Sequence, residues 1–138
     1  MLLTKTTCNF AMRSLRFRYW WLAGGLLLVG FVLYTTLGPS RSGLSYINDK
    51  SAHFFAFVAL MGWFSGVFRS NWFPLLALLL VGFGIGIELL QGQLGHRTAE
   101  VADALFDVAG ILVAWIIAAA GLDRWAEFVE ARLPARDT

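Results

Sequence analysis

The stretch PLLALLLVGFGIGIELL, from Pro74 to Leu90, is apolar throughout except for Glu88. It approaches the roughly 20 residues that an α-helix needs to cross a bilayer core. An ionisable side chain inside such a span is costly, and by default it marks a functional position that has a partner. The candidates in neighbouring segments are His53, Asp107, Lys50 and Arg97.

Outward from this stretch, the composition sets the class. The chain of 138 residues is 58% hydrophobic and 14% charged, with a mean hydropathy of +0.66. Soluble domains carry about a quarter charged residues, so an ordinary soluble domain is excluded. Apolar segments predict spans at 19–37, 52–68, 74–92 and 103–121. A chain of this size is one domain. The expected fold is therefore all-α: a polytopic integral membrane protein, folded over 1–138 as a compact bundle of four transmembrane helices.

Basic residues orient the bundle. Four spans put Lys5, Arg13, Arg16, Arg18, Arg69, Arg124, Arg132 and Arg136 on one side and leave Arg41, Lys50 and Arg97 on the other. The excess of basic residues predicts cytoplasmic N- and C-termini, with loops 38–51 and 93–102 outside. Trp20, Trp21, Trp72 and Trp125 fall near the cytoplasmic ends, where interfacial aromatics belong. The first segment is longer than a signal-peptide core of about 7–15 residues and is expected to remain as an anchor. Cys8 is the only cysteine, so no internal disulfide exists. The pI of about 9.0 reflects the cytoplasmic flanks, which makes the lipid bilayer the expected partner and not nucleic acid.

Local chemistry places the boundaries. Residues 38–43 have loop composition, and Asn48 or Asp49 is suited to cap the second helix. Pro74 suits the first turn of the third helix. Gly92 and Gly95 are expected to close it, and Thr98 to cap the fourth. Beyond Gly121, the residues Leu122, Trp125, Phe128, Val129 and Leu133 draw an apolar stripe that predicts an amphipathic tail, 122–133, on the cytoplasmic membrane surface.

The polar residues agree in depth. His53 and Glu88 each lie about one turn inside the external ends of their spans, and Asp107 lies about one turn below Asp103, at about 1.5 Å rise per residue. Helical phase puts Lys50, His53 and Phe57 on one face, with Glu88 beside Gln91 and Asp103 beside Asp107. One polar site opening to the outside follows. Gly110 and Ala114 continue the fourth helix's stripe, and Gly82 and Gly86 form a GxxxG spacing; both are read as close helix packing.

Three motifs carry a family likeness. Asp49-Lys50-Ser51-Ala52-His53-Phe54, then Glu88-Leu89-Leu90-Gln91 with Arg97, then Asp103-x3-Asp107-x2-Gly110 resemble the corresponding segments of VanZ-like proteins over about residues 46–120. Two positions depart: the family usually has asparagine at the place of Asp107 and glycine at that of Ala114. The resemblance implies a multi-pass protein of the bacterial cytoplasmic membrane with a role at the cell envelope, in a family associated with resistance to the glycopeptide teicoplanin. It implies no known reaction.

The reading that follows is an extracytoplasmic site that binds or modifies an amphiphilic or lipid-linked envelope ligand. Glu88, His53 and Asp107 are the catalytic candidates; Asp49, Lys50, Gln91, Arg97 and Asp103 are the ligand-binding ones. Lys50 and Arg97 suit a phosphate, as a point charge and a bidentate fork. An alternative is an intramembrane hydrolase or transferase with His53 or Glu88 as general base. Another is a helix bundle whose polar groups only fix packing. The ligand types of His53, Glu88 and Asp107 suit a metal, but no close-spaced HExxH-type signature supports zinc, so no metal is expected. Acids outnumber bases at the site, which keeps cation or proton transport in view, and homo-oligomerisation is compatible with the sequence. His96 reads as a solvated loop histidine and Glu100 as an acid at a helix start. Phe54, Phe55, Phe57, Phe64 and Phe68 read as packing or lipid-facing groups.

Overall fold

The structure is a computed structural model that describes residues 11–38, 45–94 and 100–134, with 45–49 described in backbone only. It is all-helical: α1 (Arg18–Leu37), α2 (Ser45–Val67), α3 (Phe73–Gln93), α4 (Val101–Ala119) and a short α5 (Trp125–Glu130), with 3-10 turns at Ser70–Trp72 and Leu122–Arg124. Among the described residues, three segments are long and apolar enough to cross a membrane: Arg18–Leu37, Ser70–Gln93 and Val101–Ala119.

α2 begins about two turns before the predicted span at residue 52, taking about 3.6 residues per turn. Asn48 and Asp49 therefore lie within the helix and do not precede it as caps. Pro74 sits in the first turn of α3, where its missing N–H costs nothing. α3 continues through Gly92 to Gln93, while Gly95 and Thr98 lie outside the described residues.

The helices run up and down. At one end the Trp63 indole donates to the Trp21 carbonyl at 3.0 Å, joining the end of α2 to the start of α1. At the other end Gln91 Nε2 donates to the Thr36 carbonyl at 2.8 Å, joining the ends of α3 and α1. α2 and α4 run parallel in direct contact. Phe57, Leu60 and Met61 of α2 are fully buried and pack with Val32, Leu80, Ile87 and Ile111. α1, α3 and α4 instead turn large apolar side chains outward, among them Leu27, Phe31, Leu78, Leu79, Leu112 and Ile116. Contiguous outward apolar surface of this kind suits a lipid solvent.

Small residues set the approach of α4 to α2. Gly110, Ala114 and Ala118 are buried on α4, and a Cβ on Gly110 would collide with the Phe54 carbonyl oxygen. The expected stripe of Gly110 and Ala114 is thus the helix contact. The GxxxG spacing on α3 is not: a Cβ on Gly82 or Gly86 meets no atom within 4 Å. The tight glycine of α3 is Gly84, which lies between them.

The tail packs part of its apolar stripe against the bundle. Gly121, at φ +112°, adopts a left-handed conformation that suits glycine and turns the chain back toward the N-terminal segment. Trp125 is half-buried. It packs with Trp21 and Trp63 at ring separations of 5.2 and 5.4 Å, and its indole donates to the Gly62 carbonyl at 2.9 Å. Leu122, Phe128 and Leu133 remain exposed. Residues 11–13 pair with the α2–α3 turn through Arg13 N–H to Val67 O, 2.9 Å, and Arg69 N–H to Ala11 O, 3.0 Å. Arg13 forms ion pairs with Asp123 and, at 3.7 Å, with Glu127.

Glu130 closes this end. Its carboxylate accepts from the N–H groups of Arg16 (2.6 Å) and Phe17 (2.8 Å), just ahead of α1, and from the Trp21 indole (2.7 Å). A negative charge there also meets the positive end of the α1 dipole. Burial alone would raise the Glu130 carboxyl, but the Phe17, Trp21 and Arg16 donors and the Arg16 charge hold it below its ordinary value of 4.5. A value depressed in the folded state contributes stability above the unfolded value and loses it as pH falls through the folded one. Tail docking, followed by tryptophan fluorescence, is therefore expected to weaken as pH falls below about 4.5. Glu130→Gln should dock more weakly without that acid transition; an unchanged transition in the variant would assign it to another group.

Candidate functional site

The polar residues of α2, α3 and α4 meet at the end of the bundle opposite the tail. His53 faces inward because it shares the α2 face of Phe57, one turn on, and both are buried. Asp107 is brought against it by the close approach at Gly110. His53 Nδ1 and Asp107 Oδ1 are 2.9 Å apart, and the two residues are 2% and 1% exposed. With Asp107 ionised, Nδ1–H donates and the ring is held in one tautomer, with Nε2 as acceptor.

Glu88 completes the junction. Its Oε1 lies 3.9 Å from His53 Nδ1, and its Oε2 accepts the backbone N–H of Glu100 at 3.1 Å. That bond ties α3 to the start of α4 and uses an N–H that has no partner within its own helix. Gly84 lies one turn before Glu88, and a Cβ there would stand 2.5 Å from Asp107 Oδ2 and 3.2 Å from the Phe57 ring. The α3 backbone is thus the floor on which the Asp107 carboxylate rests.

Buried atoms at this junction with no hydrogen-bond partner among the described residues include His53 Nε2, Glu88 Oε1 and Asp107 Oδ2. Buried polar groups in folded proteins are nearly always paired, so each calls for an explanation. Lys50, expected as a phosphate contact, is engaged by acids: 2.9 Å from Glu100 and 3.9 Å from Asp103. Gln91, expected as a ligand-binding residue, is 2% exposed and gives an amide N–H to α1. The Asp49 side chain, His96 and Arg97 lie outside the described residues.

The structure therefore brings together His53, Glu88, Asp107, Asp103 and Lys50, all singled out from the sequence. Glu100 and Gly84 were not among the site candidates. Their signals were the i,i+3 spacing of Glu100 to Asp103 and the i,i+4 spacing of Gly84 to Glu88, which align neighbours on one helix face. A cavity of about 260 Å³ lined by Val58, Gly62, Ser65, Ala114, Ile117, Ala118, Leu122 and Trp125 lies toward the tail, away from the polar junction, and is almost wholly apolar. Chemically, the junction offers an imidazole oriented by a carboxylate beside a second acid, an arrangement suited to proton transfer or to holding hydroxyl and amine groups. No family model, curated protein or solved structure matches the chain.

Proposed function

We propose that the chain is a VanZ-like, four-span protein of the bacterial cytoplasmic membrane with cytoplasmic termini, whose His53–Glu88–Asp107 junction binds or modifies the polar head of an amphiphilic or lipid-linked envelope ligand on the outer side. The observation that carries the reading is the set of buried atoms, contributed by three helices at one bundle end, that have no hydrogen-bond partner among the described residues. A cluster that served only to fix packing would be expected to satisfy its own donors and acceptors. Support for the orientation comes from Arg13, Arg16, Arg18, Arg69, Arg124 and Arg132, which belong to the segments at the opposite end. Outward apolar faces on α1, α3 and α4 leave room for the ligand's tail in lipid.

The acids refine the ligand class. Glu88, Asp103 and Asp107 accept hydrogen bonds from hydroxyl or amine groups, whereas a phosphate would compete with Glu100 and Asp103 for Lys50. The His53–Asp107 bond favours a second reading, an intramembrane hydrolase or transferase with His53 as general base. Both readings predict that Glu88→Gln, checked to accumulate in the membrane, changes the envelope lipid profile and teicoplanin susceptibility of host cells. Asp107→Asn is expected to retain the wild-type phenotype, because an amide oxygen still accepts from His53. A Glu88→Gln protein that accumulates and behaves as wild type would refute both readings.

A further inference from the structure

We infer that His53, Glu88 and Asp103 form a site for one divalent transition-metal ion of the zinc class, at the junction of α2, α3 and α4. One ligand-type atom from each side chain lies within 4.8 Å of the others. A tetrahedral ion with bonds of about 2.0–2.2 Å would draw these atoms together by about 1 Å. An imidazole with two carboxylates is a donor set that suits zinc and its first-row neighbours.

A second observation points to a ligand. Glu88 is 7% exposed, and its Oε1 has no hydrogen-bond partner among the described residues, standing 3.9 Å from His53 Nδ1, the nitrogen already engaged by Asp107. It is therefore directed into the cluster without being satisfied there. His53, 2% exposed, likewise leaves Nε2 without a partner among the described residues. Electrostatics agree: Glu88, Asp103 and Asp107 converge where the single Lys50 charge is divided between Glu100 at 2.9 Å and Asp103 at 3.9 Å, and a dication offsets repulsion that low dielectric strengthens.

Asp107 then takes a different part from the one the sequence suggested. It is not in the ligand set but holds the His53 ring by the 2.9 Å bond, as outer carboxylates orient metal-binding histidines. Three protein ligands leave a coordination position for water or for a hydroxyl of a bound head group. A ring nitrogen that ligates a cation cannot also serve as base, so metal loading excludes that use of it. No spacing motif marks the site, because each ligand comes from a different helix.

The inference goes beyond the amphiphile reading and stands without it, since metal binding is measured on the protein alone. The full chain, purified in detergent, stripped with chelator, incubated with Zn²⁺ alone and dialysed, is expected to retain about one zinc per chain by elemental analysis. Glu88→Gln and Asp103→Asn should each weaken Zn²⁺ binding about 10-fold or more, while Glu127→Gln at the opposite end binds as wild type. Substoichiometric zinc on the wild-type protein overturns the site, with no variant needed. So does wild-type Zn²⁺ affinity in Glu88→Gln and Asp103→Asn proteins that keep wild-type helicity by circular dichroism.

Discussion

A Gly110→Val protein is expected to fail to accumulate, and Gly110→Ala to lose roughly 1–3 kcal/mol of stability, the usual cost of overpacking a filled contact. A Cβ at Gly110 would collide with the Phe54 carbonyl oxygen and stand 3.1 Å from the Val58 nitrogen. Both are backbone atoms of α2, so no side chain can rotate away, and the helices must separate. Separation would also draw Asp107, one turn earlier on α4, away from His53. Gly82→Ala and Gly86→Ala supply the contrast, because neither new methyl meets an atom within 4 Å. Those variants should stay within about 0.5 kcal/mol of wild type. Membrane accumulation checks Gly110→Val, and thermal unfolding in detergent, read by circular dichroism, checks the three alanine variants; equal stability of the Gly110→Ala and Gly86→Ala proteins would refute this account of the α2–α4 contact.

Asp107→Ala is expected to destabilise by about 3 kcal/mol. Removing the carboxylate leaves His53 Nδ1 buried without its partner, at about 1–3 kcal/mol and more if the group is charged, and leaves a void beside Gly84. Asp107→Asn should lose less than half as much, because its amide oxygen keeps the 2.9 Å contact. A double-mutant cycle over His53→Ala and Asp107→Ala isolates the pair. A coupling energy near zero would mean that the two side chains are neighbours without mutual support.

Much of the site was legible because depth and helical phase are local properties. Lys50, His53 and Phe57 share a face by spacing alone, as do Glu88 with Gln91 and Asp103 with Asp107. Depth then aligned His53, Glu88 and Asp107 without knowledge of which helices touch. Spacing did not reveal that Asp107, and not Glu88, is the 2.9 Å partner of His53. It also did not reveal that Glu100 reaches back to Glu88 across the α3–α4 connection. Such pairings depend on how far each helix is rotated about its axis, which packing sets.

The tail makes the same point. Leu122, Trp125, Phe128, Val129 and Leu133 have an amphipathic period, and a period identifies an apolar stripe without saying what covers it. Trp125 and Ala126 are covered by Trp21, Trp63 and the segment around Met12, whereas Phe128 is left outside. Glu130, an unremarkable charge in the sequence, becomes the acceptor for the entrance to α1.

By itself the sequence determined that this protein is helical and apolar enough for a membrane, and that its ionisable residues gather near one depth on three helices. Hydropathy and period suffice for that, since each is summed along a few turns of one chain segment. Only the tertiary structure decided that Gly110 and Gly84 are the close contacts while Gly82 and Gly86 face open space, and that Asp107 holds His53. Those choices arise where two helices meet, and the distance of closest approach is a property of both surfaces together.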